Sequence, residues 1–497
     1  MAHKVSPEAR RAHADPLKRR QIPFDRWIER FLLQRGNRND MVRLDADHGC
    51  ICPENARIGL IRACTQSHTA IINVPAPVSA MSNPRTIATR QRLSQVRYEI
   101  RGELARRARD MEAQGRKLIK LNIGNPGAFG FRAPEHLQQA IAEHIGESDP
   151  YCHQQGLPQL REVIAAKHVA RGARGVTPAH VFMGNGVSEL IDMSLRALLN
   201  PGDEVLLPSP DYPLWSAATI LNDGVPVYYA CTPENGFQPD PEQIEALITP
   251  RTRALVLINP NNPSGAVYPR QLLQQLAAIA ERHRLLLMVD EIYDEVLYDR
   301  AEYIPLAPLA GDVPCLTFSG LSKVHRACGY RVGWVVLSGD PIRSGDYHHA
   351  LDLLGALRLC ANVPGQWAAL AALTGPDTIS ALTSPGGRLY EARQAVLDAC
   401  AANPYLSVVA PQGALYAFPG IDTQTLPGFD DHRFALDLLT HEGVLIVPGS
   451  SFNVPYHNHF RVTLLPEPEQ IRDVFARIGH ALNRWEQPVQ LDRIAEA

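Results

Sequence analysis

Between residues 118 and 338, short apolar runs alternate with stretches of helical spacing, and this alternation limits the fold more than any other feature of the chain. The runs fall at 118–123, 181–183, 204–207, 225–229, 254–258, 285–289, 315–318 and 334–337. After the run at 181–183, Val187, Leu190, Ile191, Leu195 and Leu198 recur on one face of a helix. Continuous apolar strands of this length are buried on both faces, and the helices between them supply the cover. The pattern predicts an α/β fold whose large domain holds a mostly parallel sheet of seven strands.

From about residue 386 the spacing changes to a helix at 388–401, strands at 406–409, 415–418, 444–447 and 460–464, and a final helix. This predicts a smaller α+β domain that packs with a helix at 99–115 and the strand at 118–123. The expected division is a poorly ordered N-terminal extension at 1–80, an arm and part of the small domain at 81–130, the large domain at 131–385, and the C-terminal small domain at 386–497. Within the extension, 24–33 has the spacing of a short amphipathic helix. His48, Cys50, Cys52 and Cys64 match no zinc spacing, so no metal is expected.

A chain of 497 residues that is 45% hydrophobic and carries a net charge of −3 has the means to build a large core. It has no overall charge to attract nucleic acid or a membrane surface. No apolar run approaches the ~20 residues of a membrane span, and the start lacks the apolar centre of a secretory signal. Nine cysteines scattered along the chain do not form a disulfide framework. The expectation is a cytoplasmic protein with reduced thiols that acts on small molecules.

Lysine occurs at only six positions, 4, 18, 117, 120, 167 and 323, so nearly all positive charge is arginine. A guanidinium replaces an ammonium where charge alone is needed, but it cannot lose a proton to attack a carbonyl. Lys323, isolated in the C-terminal half, is therefore a candidate nucleophile. Open α/β sheets bind ligands outside the carboxyl ends of their strands. Those ends read Gly184-Asn-Gly-Val-Ser-Glu189, Pro210-Asp-Tyr-Pro213, Asn259-Pro-Asn-Asn-Pro-Ser-Gly265, Asp290-Glu-Ile-Tyr293 and Ser319-Gly-Leu-Ser-Lys323. Taken singly, Asp290 could cap a helix, Asn262 could serve a turn and Tyr293 could fill the core. Together they suit a polar aromatic cofactor. Glu189 stands where a dinucleotide fingerprint needs Gly or Ala, and no GxxxxGK[ST], HExxH or GxSxG occurs.

With Gly329-Tyr-Arg331-Val-Gly-Trp334 added, the ordered set resembles the class I aminotransferases of the fold type I pyridoxal-phosphate (PLP) enzymes, over about residues 95 to 485. Lys120-Leu-Asn-Ile-Gly-Asn-Pro126, Pro210-Asp-Tyr-Pro-Leu-Trp215, Gly320-Leu-Ser-Lys323 and Arg358-Leu-Cys-Ala-Asn-Val-Pro364 are most similar to bacterial alanine aminotransferases. The resemblance implies that residues 131–385 bind PLP and that Lys323 forms an aldimine with it, then moves a proton as base and acid. It further implies that Asp290 pairs with the pyridine nitrogen, Asn262 and Tyr293 bond the phenolic oxygen, and Tyr212 stacks on the ring. Gly186, Val187, Ser188, Ser322 and Arg331 would hold the phosphate, and Tyr151 would reach the phosphate of a second copy in a homodimer. Arg461 would grip the substrate α-carboxylate beside the backbone of Gly124, with Asn262 close by. Many relatives carry serine where this chain has Gly320, so one phosphate contact would be missing. The implied reaction moves an amino group between L-alanine and 2-oxoglutarate. Transamination of branched-chain or aromatic amino acids, a PLP β-lyase, and a PLP-binding transcription regulator are the alternatives. Arg132 and Arg358 are candidates for a distal substrate carboxylate, with structural pairing as the other explanation for each.

Overall fold

A computed structural model of the chain describes residues 87–97 and 102–486. The expected extension at 1–80, its short helix and the cysteines at 50, 52 and 64 lie outside the described residues.

Seven strands form the main sheet: β1 (Val181–Gly184), β2 (Glu204–Ser209), β3 (Val225–Ala230), β4 (Thr252–Ile258), β5 (Leu286–Asp290), β6 (Cys315–Gly320) and β7 (Gly333–Ser338). Their order across the sheet is β1-β7-β6-β5-β4-β2-β3, and only β7 runs against its neighbours. The α/β sheet is therefore mostly parallel, as the apolar runs predict. Every residue of β1, β2, β5 and β7 is buried, because helices pack on both faces. One face closes on a cluster with Leu255, Leu257, Leu287 and Val289, and the other on a cluster with Val256, Ile258, Met288 and Phe318. Alternate residues of β4 and β5 thus serve opposite sides of the sheet.

A third cluster joins the helices Glu103–Ala113, Arg388–Ala402 and Pro468–Glu486. Ile292, Tyr293, Val296 and Val324, which follow the carboxyl ends of β5 and β6, belong to it, so this cluster closes over one edge of the sheet. The expected strand at 444–447 is two strands in the structure. Val444–Leu445 pairs in parallel with Ile119–Lys120, whereas Val447–Pro448 pairs antiparallel with Phe460–Thr463. All four residues from 444 to 447 are buried, so hydrophobicity alone carries no mark of where the chain leaves one partner for the next. Two long helices, Pro341–Leu357 and Val363–Thr374, fill a region that sequence periodicity leaves blank. The six described cysteines are all free. Among the described residues no helix is long and apolar enough to cross a membrane.

Candidate active site

The carboxyl ends of the parallel strands, with the start of β7, surround a cavity of about 610 Å³. β5 ends in Asp290, and the turn after β6 carries Ser322 and Lys323. Asn262 follows β4 and Tyr212 follows β2. Because β7 is antiparallel, its beginning lies at the edge where the others end, which brings in Arg331. Val187 and Ser188 open the helix Val187–Leu198, while Gly124 and Arg461 come from the third cluster's side. Of the expected cofactor and α-carboxylate residues, Gly186 and Tyr151 do not line the cavity.

Gly186 caps that helix with φ 85°, and a Cβ there would meet the Arg331 guanidinium at 2.2 Å. The backbone conformation requires glycine, and a side chain there would also displace the Arg331 guanidinium. No side chain caps the helix, so its first N–H groups remain for an outside acceptor. Arg331 donates to the carbonyls of Cys328 at 3.0 Å and Asn185 at 3.2 Å, and pairs with no carboxylate among the described residues. At Gly320 a Cβ would lie 2.6 Å from the Val332 carbonyl oxygen. The closeness of β7 therefore explains the absence of serine at that position.

Arg461 is only 2% exposed and forms no ion pair among the described residues. Its Nη1 donates to Asn262 Oδ1 at 3.0 Å and its Nη2 to the Asn122 carbonyl at 2.5 Å, while Nε has no partner. The guanidinium lies 4.3 Å from the Tyr416 ring and 4.9 Å from that of Phe452. A guanidinium this deeply buried is costly without an anion, and the cavity is where one can arrive. Lys323 Nζ donates to the Gly124 carbonyl at 2.7 Å. Burial pushes the Asp290 carboxyl up to about 6, against the Ile292 N–H, the Trp215 side chain and the Lys323 charge.

Tyr416 is the chief residue that sequence patterning misses. Its hydroxyl accepts from Tyr293 at 3.2 Å, and a Cβ on Gly124 would fall 2.0 Å from it. Gly124 is therefore glycine because Tyr416 occupies the space, a reason additional to the close approach of backbone to a ligand. Burial drives both phenols up, and Tyr293 lies well above its ordinary range. For Tyr416, burial is the largest single influence, but the charges of Lys323 and Arg461 and the hydrogen bond from Tyr293 together outweigh it and bring the net shift below the ordinary value. Leu415, Tyr416, Ala417 and Phe418 are all buried, so no alternation in the sequence marks the one side chain that turns a polar tip to the cavity.

Tyr151 stands 77% exposed outside the cavity. Arg358 does not line it either: it pairs with Glu189 at 2.8 Å and donates to the carbonyls of Met183 and Gln154, a structural pairing. Arg132 is exposed and likewise outside.

Residues 116–478 match the model of the family described as aminotransferase class I and II. The chain is 45% identical to the glutamate-pyruvate aminotransferase AlaA of Escherichia coli over 80% of its own length and 98% of that protein. It is 43% identical to the alanine aminotransferase of Mycobacterium tuberculosis, over 83% of this chain and 97% of that one. A crystal structure of an aminotransferase from Escherichia coli superposes with a TM-score of 0.79 at 44% identity, covering 81% of this chain and all of the other.

Proposed function

The chain belongs to the class I and II aminotransferases, and from that membership we propose that it transfers the amino group of L-alanine to 2-oxoglutarate, giving pyruvate and L-glutamate, and runs the reverse. One observation carries the assignment: a buried arginine with no acid partner among the described residues faces the same cavity as Lys323 and a buried carboxyl. The choice of alanine is supported by the two relatives at 45% and 43% identity.

The family works with pyridoxal 5′-phosphate, and the residues around the cavity fit it. The uncapped helix start and Arg331 offer N–H donors and positive charge for a phosphate. Asp290 offers a carboxyl that has no cation bonded to it among the described residues, and Arg461 uses Asn262 Oδ1, leaving Nδ2 to donate elsewhere. When bound, this group supplies a carbonyl that takes up the amino group and a ring that spreads the charge left on the substrate Cα.

Val187 and Ser188 would hold the phosphate by their N–H groups, with Gly186 shaping the turn and Ser322 and Arg331 adding a hydroxyl and a charge. Asp290 would keep a proton on the ring nitrogen. Asn262 and Tyr293 would donate to the phenolic oxygen, and Tyr212 would cover a ring face. Lys323 would bond the carbonyl carbon with loss of water, and once released would carry the proton from the substrate Cα to that same carbon, the shift that transfer of the amino group requires. Arg461 would grip the α-carboxylate with its planar fork, fixing which Cα bond stands upright over the ring.

The exposed Tyr151, beside exposed Leu353, Leu357 and Leu359, supports a homodimer in which Tyr151 completes the partner's phosphate site. The Gln154 amide, which donates to Asp352 at 3.1 Å, ties the two segments together. The free thiols support a cytoplasmic setting. The division at about residue 386 is supported by the third core cluster, which draws mainly on residues from 389 onward and on 104–131.

The test is the near-ultraviolet and visible spectrum of the full chain purified with PLP. Addition of L-alanine should bleach the cofactor band, and 2-oxoglutarate should restore it. A band that L-alanine leaves untouched overturns the substrate, and a protein that takes up no PLP overturns the chemistry.

Asp290 gives a second check, in the cofactor-free protein. The unfolded chain loses this proton near the ordinary carboxylate value, whereas the folded chain holds it up to about 6. Over that interval the folded state binds the extra proton, so its stability relative to Asp290→Asn falls as pH rises from about 4 to about 6 and is level above. At 1.36 kcal/mol per unit the difference amounts to roughly 3 kcal/mol. Thermal melts of both proteins across this range measure it, and parallel curves would show that burial does not hold this carboxyl up.

A further inference from the structure

The segment Pro210-Asp-Tyr-Pro213 contributes only Tyr212 to the site described above, and Asp211 beside it has no role there. Asp211 is wholly buried and pairs with no cation among the described residues. Its Oδ1 accepts from Asn453 Nδ2 at 3.0 Å, and its Oδ2 has no hydrogen-bond partner. Its N–H donates to the Phe452 carbonyl at 3.0 Å. Ser209 Oγ donates to the Asn453 carbonyl at 2.8 Å, and Asn453 Nδ2 also reaches Ser216 Oγ at 3.0 Å. Asn453 holds a left-handed backbone with φ 56°.

These bonds join segments about 240 residues apart, one carrying Tyr212 and the other Phe452. Tyr212 lines it, and Phe452 lies 4.9 Å from the Arg461 guanidinium. A carboxyl buried with so few donors costs more than an apolar side chain of the same size. Its retention is accounted for by what it holds in place.

We infer that Asp211 and Asn453 form a clasp that sets Tyr212 against Phe452 and Arg461, and so fixes where the substrate carboxylate sits relative to the cofactor ring. Both are positioning residues, and the inference rests on the assignment of Tyr212 and Arg461 given under the proposed function.

The test uses the full chain loaded with PLP, with Asn453→Gly as the leading variant. Glycine keeps the left-handed backbone without strain and removes only the side-chain amide. The loss of one such bond is expected to raise KM for L-alanine about 3- to 10-fold. kcat should change less, and the absorbance band of the bound cofactor should shift. Asp211→Ala should give the same KM change, and the double variant should add little to either. Asp211→Asn retains an acceptor for Asn453 and should restore KM. If Asn453→Gly keeps the parent KM and band, or if the two single changes add in full, the clasp does not position the site. Should Asp211→Ala fail to fold, Asn453→Gly and Asp211→Asn still decide the matter. A parent protein that L-alanine does not bleach overturns the functional assignment, a result separate from any of these.

Discussion

Lys323→Arg is expected to lower amino-group transfer by roughly 10⁴-fold, the upper end of what a positioned acid–base group contributes. The substitution keeps a positive charge and a long side chain, so neighbours that need only charge are satisfied. Tyr416, whose phenol is held down in part by the charge at position 323, retains much of that influence. What is lost is a nitrogen able to shed its proton, which attack on a carbonyl and transfer at the substrate Cα both require. Two measurements separate these effects. Turnover with L-alanine and 2-oxoglutarate should vanish into the background, and borohydride reduction should no longer add the mass of the cofactor to the protein. PLP should still bind, because the phosphate donors and Asp290 are untouched. A variant that keeps a tenth of the parent activity would remove Lys323 from the chemistry.

Arg461→Ala should produce the second large loss, and its origin is spread over several contacts. The guanidinium would make two charge-assisted bonds to a substrate carboxylate, each worth about 1.5–3 kcal/mol. Together these correspond to a fall in kcat/KM of roughly 10²- to 10⁴-fold at 1.4 kcal/mol per tenfold. Removal of Arg461 also frees Asn262 Oδ1 and leaves the Asn122 carbonyl without its donor. Asn262 can then turn, so the cofactor band should shift even without substrate. Steady-state kinetics with L-alanine, alongside the spectrum of the resting enzyme, reads both effects. Unchanged KM for every amino acid would remove the carboxylate role from Arg461.

The sheet was legible in the sequence because its strands, the edge strand β3 apart, are buried on both faces. A strand covered on both sides must be apolar throughout, and such runs stand out against the amphipathic helices between them. The expected strand at 254–258 and the observed Thr252–Ile258 differ only where the strand enters from the surface. The short strands of the C-terminal part were less legible. Residues 444–447 form one apolar run, yet the chain changes partner at Ile446, and a change of partner leaves no mark in hydrophobicity when both partners are buried.

The same division holds for the site. Lys323, Asp290, Asn262 and Tyr212 stand at strand ends, where polar residues interrupt apolar runs, and one chain is enough to single them out. Tyr416 and the Asp211–Asn453 pair have no such interruption. Their meaning depends on what lies opposite: Gly124 for Tyr416, and Asn453 for an aspartate 242 residues earlier. Periodicity and strand-end composition thus determined the sheet and marked Lys323 and the polar edge around it, because each is legible along one stretch of chain. The tertiary structure alone decided the buried arginine's lack of an acid partner, the tyrosine seated against a glycine, and the clasp behind Tyr212. These are properties of pairs, and a pair distant in sequence acquires an energy only when folding brings its members within a few ångströms.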